Sequence, residues 1–437
     1  MKYSDWLKKK DLEYKEGILH FANMNTIEIA ETYGTPIYVV NEQMIRNRYK
    51  ELKKILDSEY GNNDIHFAMK SNSNLSILKI LVSEGASFDC TSAGEIYACF
   101  KVGISPDKII YTGNMFTNED FAFAVKNNVH INLDSISQLK RLNKIYEKLG
   151  IEKKSISFRI NPEFGAGQHS HTITAGKLIK FGILDNQVIE AYTKAKELGF
   201  KQFGTHIHIG SGILNPNDYE KAIEKYLAII TNLADTLGIT FEFINFGGGL
   251  GISYRPEEEP LNLMKFVNVV VKKFKNLVKK AHFGEPRFIV EPGRYLTAES
   301  SIILTQINTI KDNGYKKFAG VNAGFNTLIR PTLYGSYHHI IPCKMSDENP
   351  IVKYDIVGPI CESGDILGKE RELSELYEED YLAILDSGAY GFTMSSSYNS
   401  RPRPAEILIN NGEIFKIRDE ETYDDLLEKQ IIPDHLK

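Results

Sequence analysis

Four short stretches of the sequence carry residue types that can do chemistry: Lys70, the run Gly204-Thr205-His206-Ile207-His208-Ile209-Gly210-Ser211-Gly212, the cluster Gly247-Gly248-Gly249-Leu250-Gly251, and Glu291-Pro292-Gly293-Arg294. A lysine whose burial lowers its pKa is an amine nucleophile toward an aldehyde. Glycines without side chains let backbone N–H groups close around a phosphate. Arg294 is a planar bidentate donor for a phosphate or carboxylate, and Glu291 can hold a protonated ring nitrogen. His206 and His208, two apart, share one face of a strand, which also describes a metal site in a barrel hydrolase. Such a site needs further ligands, and the sequence offers Asp89 and Glu291, with His169 and His171 in a glycine-rich loop. Each stretch alone also has a plain reading: a surface lysine, a tight turn, an ion pair, a histidine packed on an aromatic ring.

A single ligand with an aldehyde for Lys70, a phosphate for the glycine turn and a basic ring nitrogen for Glu291 satisfies the set. Pyridoxal 5′-phosphate has all three. A carboxylate at its ring nitrogen makes the ring an electron sink, which suits loss of CO2 from an α-carbon.

The elements that must position these residues are short apolar runs, each ending where a chemical residue begins. Strands are predicted at Ile65 to Met69, Ser87 to Asp89, Ile109 to Tyr111, Val129 to Leu133, Ile156 to Ile160, Gly204 to His208, Phe243 to Phe246 and Arg287 to Val290. Amphipathic stretches such as Asn217 to Leu237 and Leu261 to His282 lie between them. Eight parallel βα units predict a TIM barrel, whose catalytic groups sit where strands end; an open doubly wound sheet is the alternative. After residue 295 strands follow one another at Ser301 to Ile310, Lys317 to Asn322, Ile351 to Val357, Tyr381 to Asp386, Glu406 to Ile409 and Ile414 to Ile417, predicting a mostly antiparallel β domain. Gly17 to Phe21 is expected to add a strand to it. The expected division is an N-terminal segment 1–36 belonging to the β domain, a barrel over 37–294, and the β domain over 295–437.

The 437 residues carry 52 Lys and Arg against 57 Asp and Glu, a net charge of −5, which does not suit a nucleic-acid backbone. The charged opening MKYSDWLKKK lacks the apolar stretch of a signal peptide, and no run reaches the roughly 18 apolar residues of a membrane span. A cytoplasmic location is expected. Cys90, Cys99, Cys343 and Cys361 show neither zinc-site spacing nor a disulfide framework, so any that matters acts as a thiol.

In their order these motifs resemble the alanine-racemase-fold, pyridoxal-phosphate-dependent decarboxylases, and within them the diaminopimelate decarboxylase family. The resemblance spans nearly the whole chain, from Phe67-Ala68-Met69-Lys70-Ser71-Asn72 through Gly94-Glu95, Gly113-Asn114 and Arg159-Ile160-Asn161-Pro162 to Arg330-Pro331-Thr332-Leu333-Tyr334, Gly358-Pro359-Ile360-Cys361-Glu362-Ser363-Gly364-Asp365, Asp386-Ser387-Gly388-Ala389-Tyr390 and Asn399-Ser400-Arg401-Pro402. It implies decarboxylation of meso-2,6-diaminopimelate to L-lysine. Lys70 would form a Schiff base with the cofactor, His208 would stack on its ring, and Glu291 would bind its nitrogen. Ser211, Gly248, Gly249, Arg294 and Tyr390 would hold the phosphate. Arg294, Arg330, Tyr334 and Tyr390 would contact substrate, the first three at its distal carboxylate. The family's sites lie at a homodimer interface, so Cys361, the proton donor, and Glu362, facing the distal amino group, would come from the partner subunit.

Two departures are visible. The stretch 163–176 matches only a subset of the family and bears on substrate choice, and within it Gly165 to Gly176, rich in glycine and small polar residues, is expected to be a mobile lid. Asn322 stands where an Asp is more usual, which removes a charge expected near the substrate arm. Decarboxylation of D-ornithine, D-lysine or a carrier-bound glutamate, a catalytically silent cofactor-binding regulator, and a metal-dependent barrel hydrolase are the other readings.

Overall fold

Residues 3–165, 174–281, 284–345 and 350–437 are described by the structure, a computed structural model. Most of the expected lid, with His169 and His171, lies outside them. The chain divides into two units: Arg46–Ser253 with Glu259–Leu296, and Met1–Ile45 with Tyr254–Glu258 and Thr297–Lys437.

In the first unit eight strands, Asn63–Ala68, Ser87–Cys90, Ile109–Thr112, His130–Leu133, Ser155–Asn161, Gln202–His206, Phe241–Asn245 and Arg287–Val290, pair in parallel in that order. The last returns to the first through Phe288↔Asn63 and Val290↔Ile65, closing the barrel. Strands packed on both faces read as continuous buried runs, and Ser87–Cys90 and Ile109–Thr112 are buried throughout. Helices between them start where a side chain takes an orphan N–H: Ser92 accepts from Glu95, and Thr117 and Asp120 cap each other. Gly150 and Gly238, both left-handed, end Ile136–Leu149 and Asn217–Leu237. The helix expected over Leu261 to His282 runs without a gap over Leu263–Val278, with the valine-rich run Val267–Val271 wound as a π turn between Leu263–Phe266 and Lys272–Val278.

Two strand ends differ from expectation, and both matter to the site. The first strand stops at Ala68, and Lys70 sits in a 3₁₀ turn, Met69–Ser71. The sixth stops at His206, so His208 leaves the pleat and the two histidines do not share a strand face. The glycine turn accounts for the second difference, because a Cβ on Gly247 would lie 2.2 Å from Ile207 O. Only glycine there lets the backbone close in.

The second unit is built on Ile37–Asn41, which pairs antiparallel with Ser301–Asp312 and parallel with Glu406–Asn410. The expected barrel span 37–294 includes this run, whose partners lie in the β-rich half of the chain. Ser301–Asp312 also pairs with Lys317–Val321 and Tyr381–Ile384. Beyond these lie Ile351–Val357, then Ile366–Ser374, a strand that sequence patterning missed. Ile18–Phe21 belongs to a small antiparallel sheet with Leu12–Lys15 and Met24–Asn25, tied on by Leu19 N–H to Cys343 O at 2.8 Å. Trp6, Leu19, Phe21, Val39, Ile302 and Ile407 fill one core, each large aliphatic stabilising by about 1.5–3 kcal/mol on burial. Inside it Lys10 Nζ meets Glu299 at 2.8 Å and Asp386 at 2.7 Å, all three buried.

Candidate active site

At the C-terminal end of the barrel strands, Lys70 Nζ donates to Asp89 Oδ2 at 2.8 Å. Burial and the neighbouring Glu291 push the Asp89 carboxyl above its usual range, with Lys70 opposing. Asp89 Oδ1 is buried with no hydrogen-bond partner among the described residues, leaving an acceptor for an incoming group.

Glu291 lies just past the last strand. Its Oε2 is 3.0 Å from His206 Nε2 and its Oε1 accepts from Asn245 Nδ2 at 2.6 Å. Burial opposes its ionisation, but His206 and Lys70 hold it well below the usual carboxylate range. It is therefore an anion in a buried setting, suited to a cationic ring nitrogen.

Burial, with Arg159 and Lys70, pushes His208 well below its ordinary pKa, so the ring is neutral. Its Nδ1 accepts from Gly248 N–H at 3.0 Å, which assigns the proton to Nε2. Arg159 Nη2 donates to His208 O and Thr174 O, each at 3.2 Å, and burial lowers its own pKa to about 10.

The glycine turn is a close-packed cradle. A Cβ on Gly248 would lie 2.4 Å from Glu291 O, and one on Gly249, where φ is +110°, would lie 2.7 Å from the Tyr219 hydroxyl. Gly247 N–H is held by Asn245 Oδ1 at 2.8 Å, and Arg294 Nη2 donates to Ser211 Oγ at 3.1 Å. The donor set fits pyridoxal phosphate: an amine for the aldehyde, a side-chain-free turn for the phosphate, an anion for the ring nitrogen and a neutral flat ring beside them.

The second unit holds Arg330, Tyr334, Tyr390, Cys361 and Glu362. Arg330 is 1% exposed and begins the short helix Arg330–Tyr334. Its Nη1 is 2.7 Å from His338 Nε2, its Nη2 donates to Ser336 Oγ at 3.4 Å, and it lies over the Tyr254 ring at 5.0 Å. His338 Nδ1 faces Leu385 O at 2.8 Å; a carbonyl only accepts, so Nε2 is the lone pair that receives Arg330. Tyr390 has a left-handed backbone, φ 59°, beside Gly388, whose Cβ would lie 1.9 Å from Thr297 O. Cys361 and Glu362 are exposed, contacted by Asn399 and Tyr398.

Asn322 turns out to be a structural link. Its Oδ1 accepts from Thr305 Oγ1 at 2.7 Å and Gln306 N–H at 3.1 Å, and its Nδ2 donates to Thr35 O and Oγ1 at 2.9 Å. An aspartate has no donor for the Thr35 contacts. Among the described residues no three His, Cys, Asp or Glu gather as metal ligands, and the Nε2 of His206 is turned to Glu291. Sequence reasoning passed over Asn245, gave Arg159 and Asn399 no role beyond their place in motifs, and took Asp89 only as a metal ligand. The available signal was position, since Asp89, Arg159 and Asn245 all lie in the last residues of barrel strands.

Residues 42–298 match the pyridoxal binding domain of the pyridoxal-dependent decarboxylases. The chain is 45% identical over 427 residues to the diaminopimelate decarboxylase of Methanothermobacter thermautotrophicus, covering 98% of this chain and 99% of that one. The chain belongs to the diaminopimelate decarboxylase family. A second member, from Aquifex aeolicus, is 37% identical, with 96% and 97% of the two chains covered. The crystal structure of the M. jannaschii diaminopimelate decarboxylase in co-complex with L-lysine superposes with a TM-score of 0.90 at 35% identity, over 98% of this chain and 99% of that one. As a diaminopimelate decarboxylase family member the chain is a carboxy-lyase with pyridoxal phosphate as cofactor.

Proposed function

We propose that the chain decarboxylates meso-2,6-diaminopimelate at its D centre to give L-lysine and CO2. The observation that carries this reading is Arg330, buried to 1% exposure and aimed by His338 and Ser336. A guanidinium so fixed suits a carboxylate, and diaminopimelate has a distal carboxylate where D-lysine and D-ornithine have none.

Bound pyridoxal phosphate supplies the electron sink that makes loss of CO2 feasible. The chain's residues supply the rest. Lys70 Nζ, kept at the barrel mouth by Asp89, presents the amine that holds the cofactor. Glu291, kept ionised by His206 and Asn245, holds a proton on the ring nitrogen. The neutral His208 covers the ring face, and Ser211, Gly248, Gly249 and Arg294, with the hydroxyl of Tyr390, bind the phosphate. Arg294, Arg330 and Tyr334 orient the distal carboxylate, with Tyr390 also contacting substrate. Cys361 holds the proton that replaces CO2 at the α-carbon, and Glu362 receives the distal ammonium.

In this reading the protein is a homodimer in which Cys361 and Glu362 of one copy complete the site of the other. Their exposure on a firmly braced loop supports this. The cofactor-binding barrel is read as lying within residues 37–294 and beginning after Ile37–Asn41, a strand of the second unit. A cytoplasmic setting agrees with four cysteines that are all free thiols. Among the described residues no helix is long and apolar enough to cross a membrane.

The test is mass spectrometry of the amine formed from meso-diaminopimelate by protein loaded with pyridoxal phosphate, beside parallel incubations with D-lysine and D-ornithine. One lysine per diaminopimelate consumed supports the reading. Turnover of only the monocarboxylates would refute the role of Arg330.

A further inference from the structure

Cys361 is the one exposed cysteine of the chain's four, yet it is held at two atoms. Its N–H donates to Asn399 Oδ1 at 3.1 Å, and Asn399 Nδ2 donates to its Sγ at 3.2 Å. A single amide thus grips backbone and sulfur together. Both sides of the grip are braced, and they are tied to each other through Phe325 and Glu362. On the cysteine loop, Asp365 accepts from Ile360 N–H at 2.7 Å and Phe325 N–H at 2.6 Å, and a Cβ on Gly358 would lie 2.4 Å from that carboxylate. Opposite, Asn399 and Ser400 are left-handed, φ 58° and 52°, a conformation asparagine tolerates better than most residues. Tyr398 stacks on Phe325 with centroids 5.7 Å apart and donates to Glu362 Oε1 at 2.8 Å.

A thiolate is a stronger acceptor than a thiol, so an N–H aimed at sulfur favours the deprotonated form and fixes its direction. The titratable group that faces the thiol from the opposing segment is Tyr398, which also bonds Glu362, the neighbour of Cys361 on its own loop; farther along, Arg401 faces Asp365. We propose that Asn399 is a positioning residue for the proton donor, orienting Cys361 Sγ and stabilising the sulfur anion left when its proton is given up. This rests on the reading of Cys361 as the acid. In that step the S–H bond breaks, a C–H bond forms at the carbon that has lost CO2, and sulfur keeps the electron pair until solvent returns a proton. Asn399 Nδ2–H is the donor already in place for that anion.

The test uses the holoenzyme and two variants. Asn399→Asp keeps an acceptor for Cys361 N–H but faces the sulfur with a carboxylate oxygen; Asn399→Gly keeps the left-handed backbone and removes the amide. The readout is the rate of Cys361 alkylation by iodoacetamide from pH 6 to 9, followed by peptide mass mapping, with turnover measured beside it. Asn399→Asp, which puts a like charge beside the sulfur, is expected to slow alkylation at pH 7 about ten-fold, and Asn399→Gly less. Both variants are expected to lose turnover while retaining the visible cofactor band. Parental alkylation across the range in Asn399→Asp would overturn the proposal, and if that variant does not fold, a parental profile in Asn399→Gly does so. Cys361→Ala separates the two readings. Undiminished turnover there removes both the acid and its positioning residue, whereas lowered turnover with parental Asn399 profiles removes Asn399 alone.

Discussion

Gly248→Ala tests whether the glycine turn is the phosphate cradle. The added Cβ would stand 2.4 Å from Glu291 O and 3.4 Å from His208 Cε1. The first distance is roughly 1 Å short of van der Waals contact, and the atom on the far side is backbone, which has no rotamer to swing away. Either the turn backs off or the strand end carrying Glu291 does. The first loosens the phosphate end of the site and the second moves the carboxylate at its nitrogen end. Overpacking of this kind costs about 1–3 kcal/mol, which at 1.4 kcal/mol per factor of ten is a roughly 5- to 150-fold loss of cofactor affinity. The assay is titration of apoprotein with pyridoxal phosphate, followed by visible absorbance, with thermal unfolding to check the fold. Gly61→Ala is the control, since a Cβ there meets nothing within 4 Å. Parental affinity in a folded Gly248→Ala protein would refute the cradle.

Three further outcomes are expected. Lys10→Met leaves Glu299 and Asp386 buried without their shared cation, at a cost of about 3–5 kcal/mol and a Tm roughly 6–20 °C lower; a loss under 2 °C by calorimetry would contradict this. Burial opposes ionisation of Asp64, but the His66 imidazole 3.3 Å from its Oδ2, a hydrogen bond from Ser87 and the charge of Arg287 lower its pKa to about 2. A depressed folded pKa stabilises above the unfolded value near 4 and is lost as pH falls toward 2, so Asp64→Asn should remove about 2 kcal/mol of acid-dependent stability; denaturant midpoints at pH 5 and 3 that shift equally in both proteins would exclude it. Arg330→Lys replaces a two-armed donor by a point charge, and KM for diaminopimelate should rise about ten-fold with the preference over D-lysine reduced, whereas an unchanged preference would remove Arg330 from substrate recognition.

Lys70, the glycine turn and Glu291 were legible because each interrupts an apolar run at a point where a barrel exposes its chemistry. Asn245 was not, because a lone amide at the end of FEFIN reads as the last residue of a buried strand; its bonds to Glu291 and Gly247 exist only once neighbouring strands are in register. The run IYVVN followed by a helix is indistinguishable locally from an opening βα unit. Which sheet takes it is decided by Ser301–Asp312 and Glu406–Asn410, more than 250 residues away. Ile366–Ser374 was missed for the opposite reason: ILGKERELS is half polar and charged, as an edge strand with one solvated side should be.

The placement of Ile37–Asn41 sets an order on synthesis. These residues leave the ribosome before anything they pair with has been translated, and their second partner, Glu406–Asn410, emerges only after the whole barrel. Domains tend to fold as units during synthesis, first-made first, but here a strand made before the barrel must wait through the barrel's whole translation. For that interval Ile37, Tyr38, Val39 and Val40, all buried in the finished sheet, are an uncovered β-prone stretch on a nascent polypeptide. Any chaperone contact made during translation has its clearest target there, and expression in a heterologous host should depend on how well that one strand is shielded.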